Sequence, residues 1–104
     1  MKDETLEINE NIEDELCKIY AKGRVDSASA GVLQFKLEQT LNEGHKAIIL
    51  NMAQIEYLSS IGIRVILSIY KQAAKSGGSF RIENPSEIVR NVLGIVALKE
   101  LLVS

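Results

Sequence analysis

Lys46-Ala47-Ile48-Ile49-Leu50-Asn51-Met52, with the segment Ser60 to Lys75 (SIGIRVILSIYKQAAK) that follows it, decides how the rest of the chain is read. The first part is a compact apolar run bounded by Gly44-His45 and Ala53-Gln54. Its β-branched pair and its length predict a buried central strand. The second part changes period. Ile63, Ile66, Leu67, Tyr70 and Ala74 form the apolar stripe of a helix, and Lys71 and Lys75 fall in its last turns, where cations suit the helix dipole. Ser76-Gly77-Gly78 stops that helix, and Ser79 to Glu83 alternates as a strand. A strand–helix–strand unit favours parallel pairing through a right-handed crossover.

Working outward, Ala30, Leu33, Leu37 and Leu41 place a helix over Ala28 to Asn42, with Ser27 or Ser29 as its cap and Gly44 beyond its end. Glu15 to Gly23 predicts a strand whose Cys17, Ile19 and Ala21 share one apolar face. Before it, a short edge strand is expected near Glu4–Asn9, with a turn through Asn9-Glu10-Asn11. Downstream, Asn84-Pro85-Ser86-Glu87 has the form of a helix start, with Asn84 as cap and Pro85 at the first helical position. That helix carries Ile88, Val89, Val92 and Leu93 and is expected to stop at Gly94. A last short helix is expected over Ala97 to Leu102. The fold class is therefore α/β, in the order ββαβαβαα, with a small mixed sheet and helices packed on one face. The whole of 1–104 is expected to be one domain.

The 104 residues carry 12 Lys+Arg against 14 Asp+Glu, a formal net charge of −2, and 46% are hydrophobic. That composition excludes a disordered chain. With no basic surplus to displace counterions, no nucleic-acid partner is expected. No apolar run approaches the roughly 20 residues of a spanning helix, so no direct membrane insertion is expected. Met1 to Thr5 leads into no apolar signal segment, and the single Cys17 fits a reducing cytoplasm, so the expected location is cytoplasmic.

The segment carrying candidate chemistry is Glu56-Tyr57-Leu58-Ser59-Ser60-Ile61-Gly62-Ile63-Arg64, between the central strand and the long helix. This is the usual ligand or partner side of an α/β sheet. Ser60 is expected at the N-cap, near the first free N–H groups. The missing side chain of Gly62 is expected to let another molecule's backbone come close. A phosphoryl group on Ser60 would bring about −1.5 to −2 charge to a helix end that favours anions. Arg64, one turn on, suits a phosphate on Ser60 or a partner carboxylate, and otherwise is an exposed helix arginine. His45 stands alone in a turn, Gly77-Gly78 lacks a phosphate-loop pattern, and Glu10, Glu13, Asp14 and Glu15 lack a calcium-loop pattern. No metal, cofactor or catalytic residue is expected, and the chain is not read as an enzyme.

The run Tyr57-Leu58-Ser59-Ser60-Ile61-Gly62-Ile63-Arg64-Val65-Ile66-Leu67, preceded by Ala47 to Met52, resembles the STAS domain of anti-sigma factor antagonists. Lys22 to Ala30, with Gly23-Arg24-Val25-Asp26, is similar to that family's turn into its first helix. The order and spacing of the segments agree over nearly the whole chain. The resemblance implies a partner-switching binding protein. Its acceptor serine would be Ser60, with Ser59 as the alternative, and its partner an anti-sigma factor that is also a serine kinase and supplies the ATP. A phosphatase would reset the phosphoserine. Asp26, Ser59, Ser60, Ile61, Gly62 and Arg64 would form the partner-binding surface. The chain departs from the family at Asn51 and Ser59, where the best-known members have aspartates, and at Ile61, which replaces a frequent small residue. Two other readings are a non-phosphorylated STAS adaptor of a membrane lipid-transport complex and, ranked last, a nucleotide hydrolase.

Overall fold

The structure, a computed structural model, describes residues 6–95. Along the chain it comprises β1 (Leu6–Glu13), β2 (Leu16–Val25), α1 (Ala30–Asn42), β3 (Ala47–Leu58), α2 (Ser60–Lys75), β4 (Ser79–Glu83) and α3 (Glu87–Ile95). The four strands form one sheet in the order β1-β2-β3-β4. β1 is antiparallel to β2, while β2, β3 and β4 are parallel. This is the mixed α/β sheet expected from the sequence. The helix expected over Ala97 to Leu102 lies outside the described residues.

Several boundaries differ from the sequence reading. β1 continues to Glu13, and the turn falls at Asp14-Glu15, where Asp14 takes a left-handed φ of 57°. Asp is one of the few residues besides glycine that visit that conformation, and unbroken pairing with β2 overrides the turn signal of Asn9 and Asn11. β2 reaches Val25, and α1 begins at Ala30. β3 runs on to Leu58 because its pairing with β2 shifts register twice, between Tyr20 and Lys22 and again between Gly23 and Arg24. Each shift absorbs an extra β3 residue, so Met52, Ile55 and Leu58 all turn inward at a spacing of three that hides the strand period.

The α3 start differs as well. Asn84 has a φ of 48° and belongs to a turn, not to a cap. Ser86 takes the cap position instead, its Oγ accepting from the Val89 N–H at 3.4 Å. β4 pairs with β3 only as far as Glu83 opposite Asn51. Past that point the Ser86 N–H donates to the Met52 carbonyl (3.1 Å) and the Ser86 hydroxyl to the Ile55 carbonyl (2.7 Å). The segment that enters α3 thus satisfies strand carbonyls left open by the short β4. α3 then passes through Gly94 to Ile95.

One sheet face is covered. Cys17, Ile19, Leu50, Phe80 and Ile82 meet Leu33 and Leu37 of α1, Ile66 and Ile69 of α2, and Val89 and Leu93 of α3 in a single buried cluster. Each fully buried aliphatic or aromatic side chain there contributes about 1.5–3 kcal/mol relative to exposure. On the opposite face Lys18 pairs with Glu83 at 3.1 Å, and Asn51 Nδ2 donates to Glu83 at 2.8 Å. Lys22, Ser79 and Arg81 are exposed on that side, together with Tyr20. Among the described residues no helix is long and apolar enough to cross a membrane.

Candidate functional site

The parallel strands β2 and β3 end side by side, with Val25 opposite Leu58, and each feeds a helix. The Ser59 N–H donates to the Val25 carbonyl at 2.8 Å, so the two strand-to-helix turns are joined by a backbone hydrogen bond. This brings Asp26 beside Ser59 and Ser60, residues more than thirty positions away in the chain. Two separate sequence signals therefore converge on one surface.

Within the first turn Asp26 organises the entry to α1. Its Oδ1 accepts from the N–H groups of Ala28 (3.0 Å) and Ser29 (3.1 Å). Ser29, in the cap position, makes no side-chain cap bond of its own. Its hydroxyl donates to the Arg24 carbonyl at 2.6 Å and accepts from the Asp26 N–H at 3.0 Å. The carboxylate thus holds the turn that leads into α1, one step before the helix itself. The expectation of a Ser27 or Ser29 cap is met in position by Ser29 but not in chemistry.

At the second turn the helix cap is Ser59, not Ser60. Ser59 has extended backbone angles (φ −83°, ψ 170°), and its side chain accepts from the Gly62 N–H at 3.2 Å. Ser60 is the first residue of α2 and is exposed. Among the described residues its hydroxyl is engaged in no hydrogen bond. The difference from the sequence reading is one position, and it matters chemically: capping occupies the Ser59 oxygen, while the Ser60 oxygen faces solvent at the positive end of a 16-residue helix.

Gly62 is buried, contrary to the open approach expected of it. A Cβ there would lie 2.6 Å from Val25 Cγ1 and 2.7 Å from Leu58 Cδ1. Its missing side chain lets α2 settle against the ends of β2 and β3, so the glycine acts by internal packing. Ile61 is 42% exposed and points outward beside Ser60. Arg64 is exposed, with no ionic partner among the described residues. Asn51 is not part of this surface; it lies mid-strand, its Oδ1 accepting from the Ala53 N–H and its amide donating to Glu83.

Tyr57, which the sequence leaves open between the core and a partner-facing surface, is exposed, and Arg24, not singled out in the sequence, joins it at the site. They pair across β2 and β3, with the guanidinium 4.5 Å from the ring centroid and its Nε 3.9 Å from Asp26. The second register shift sets them opposite one another, a relation no local pattern encodes. A cation stacked on an exposed aromatic ring leaves a flat amphipathic patch at the edge of the serine turn. Among the described residues no cluster of His, Cys, Asp and Glu could hold a metal. Cys17 is buried, and burial pushes its thiol pKa up. His45 lies 3.7 Å from Glu43, away from the serines.

Comparison with known proteins bears on this arrangement. Residues 5–103 match the STAS domain family. The anti-sigma-B factor antagonist of Bacillus subtilis is 31% identical over 85 residues, covering 82% of this chain and 77% of its own length. The anti-sigma factor antagonist SpoIIAA in its unphosphorylated form superposes with a TM-score of 0.82 at 20% identity, over 93% of this chain and 86% of SpoIIAA. The phosphorylated form of the Bacillus cell fate determinant SpoIIAA gives 0.76 at 19% identity, over 93% and 89%. At such identities the two structures establish the shared fold.

Proposed function

The chain belongs to the STAS domain family, and we propose that it is a partner-switching anti-sigma factor antagonist whose Ser60 is the phosphorylation switch. Its unmodified form binds an anti-sigma factor through the surface around the two joined turns. That partner is also a serine kinase. It transfers the γ-phosphoryl group of ATP to Ser60 Oγ, the hydroxyl proton leaves, and ADP departs. A phosphatase hydrolyses the ester and restores the binding form. The protein acts in the cytoplasm, where ATP is available, and its own part is binding, not catalysis.

The observation that carries this reading is the division of labour between the adjacent serines. Ser59 holds the helix start, so Ser60 is free to be modified without dismantling the cap. A phosphate at the first helical position meets the unpaired N–H groups and positive pole of α2. Arg64, four residues on along the same helix ridge, is the cation spaced to approach it. The folded domain therefore tolerates the modification, and its effect falls on the partner. A neutral hydroxyl enters an interface at modest cost when hydrogen-bonded, whereas a phosphate of about −1.5 to −2 must be desolvated and matched. A tenfold change in affinity needs only about 1.4 kcal/mol.

Peptide mass spectrometry on protein recovered from its native host tests the assignment, with Ser60→Ala and Ser59→Ala as controls. The expected result is phosphate on the peptide spanning Tyr57 to Arg64, abolished by Ser60→Ala and retained in Ser59→Ala. Absence of phosphate under every growth condition, with the chain held in a transporter complex, would overturn it in favour of the constitutive adaptor.

A further inference from the structure

The outward surface of the helix layer carries the most exposed large apolar side chains among the described residues, Phe35 and Val32. Phe35, 69% exposed, is a bare aromatic ring on α1, with Val32 also exposed one turn before it. Beside Phe35 lies a shallow hollow whose only charged walls are the carboxylates of Glu38 and Glu43. On α2, Leu67, Tyr70 and Ala74 floor a groove of about 770 Å³, and the charged groups lining it are all cations: Arg64, Lys71 and Lys75. A protruding apolar group with acidic neighbours and an apolar groove with a basic rim are thus carried by one chain.

Their placement is complementary in space as well as in charge. Both helices follow strands of one parallel set and turn their buried stripes to the same core, so they run parallel and their outer faces share one side of the molecule. Gln72 Nε2 reaches Glu38 Oε2 at 3.4 Å, which sets these two residues at one height. Three residues back along each helix, at about 1.5 Å per residue, Phe35 stands level with Ile69, between Leu67 and Tyr70. A two-fold axis parallel to the helices preserves height and exchanges left for right. It therefore lays α1 of one copy on α2 of the other and brings Phe35 over the groove, with Glu38 near the heights of Lys71 and Lys75.

We propose that two copies of this chain pair through the outer face of the α1–α2 layer, each inserting Phe35 into the basic-rimmed α2 groove of the other. The same contact is made twice and the symmetry closes, so the product is a dimer and not an open fibre. Two apolar insertions ringed by solvated charge form a small interface, and the pairing is weak and weakened further by salt.

Sedimentation velocity on the full chain over a wide concentration range tests the proposal, with far-ultraviolet circular dichroism as a check on folding. The expected result is a concentration-dependent dimer. Phe35→Ser raises its dissociation constant at least about tenfold without lowering the thermal midpoint, because the ring is exposed in the monomer. Lys71→Glu and Glu38→Lys each weaken pairing, and the double variant restores it, as a direct charge contact requires. A chain that stays monomeric at all concentrations would overturn the proposal. So would a dimer indifferent to Phe35→Ser, a charge-swapped pair that fails to recover, or a groove substitution Leu67→Ser that destabilises the monomer while leaving association unchanged.

Discussion

The two strand-to-helix turns that meet at the candidate site solve the same problem in opposite ways. At the head of α1, Asp26 and Ser29 fold inward: the carboxylate accepts two backbone N–H groups, and the serine hydroxyl is tied to the Arg24 carbonyl. At the head of α2 a single serine oxygen accepts from Gly62, and the next serine is left exposed. The first turn is spent on its own structure. The second leaves one serine oxygen uncommitted to the fold, beside the first turn to which the Ser59–Val25 backbone bond ties it. The switch role proposed for Ser60 needs this setting, because a group that stabilises the fold cannot be modified without cost to the fold.

Substitutions can break this contrast in a graded order. Gly62→Val strikes the packing beneath both turns, since even a Cβ would sit 2.6–2.7 Å from Val25 and Leu58. A loss of about 3 kcal/mol is expected from overpacking, read as a lower urea midpoint. Asp26→Ala removes the side-chain acceptor of the Ala28 and Ser29 N–H groups in the turn before α1, leaving Ser29 its bond to the Asp26 carbonyl at 3.2 Å. It should cost about 1.5 kcal/mol, with hydrogen exchange accelerated at Ala28. Ser59→Ala removes one cap bond, for about 1 kcal/mol. Ser60→Ala should shift stability by no more than about 0.5 kcal/mol, as an exposed substitution that does not touch the cap. If Ser60→Ala cost as much as Ser59→Ala, the division of labour between the serines would be wrong.

What could be read in advance, and what could not, follows from the range of the interactions. The span Ser60–Lys75 is legible because its apolar period, terminal lysines and Ser-Gly-Gly stop are all local. The identity of the cap is not. Ser59 and Ser60 are equally good capping residues, and the choice between them depends on how far β3 extends. That extent is set by two register shifts against β2, whose paired residues lie more than thirty positions away in the chain. Gly62 illustrates the same limit: its freedom from a side chain is plain in the sequence, but which neighbour uses the space, Val25 and Leu58 or an incoming partner, is a question of packing. Arg24 and Tyr57 each sit in recognisable segments, yet their stacking exists only because the second shift sets them opposite. Asp26 could be located from its segment, whereas its hold on the turn before α1 required the geometry.

The open face of the sheet provides a third setting, and the smallest expected effect. Glu83 receives a hydrogen bond from Asn51 and an ion pair from Lys18. The Asn51 amide is the main cause holding the Glu83 carboxyl below its ordinary value; partial burial opposes this, and Lys18 assists. Lys18 is in turn held above its ordinary value, chiefly by its hydrogen bond to Glu83. A carboxyl whose folded pKa is depressed contributes stability above its unfolded value, and that contribution is lost as pH falls through the folded value. The raised Lys18 contributes below its own unfolded value and loses that contribution as pH climbs through the folded one. Denaturation midpoints measured against pH should therefore fall away below pH 4.5, the ordinary value for Glu83, and Glu83→Gln should flatten that acid limb. Asn51→Asp replaces the donor with a second carboxylate facing the first. It should move the limb to higher pH, because like charges across adjacent strands favour protonation. Neither change should alter phosphate incorporation at Ser60, since Asn51 and Glu83 lie outside the joined turns. An acid limb unchanged in both variants would show that the β3–β4 network carries none of the domain's pH dependence.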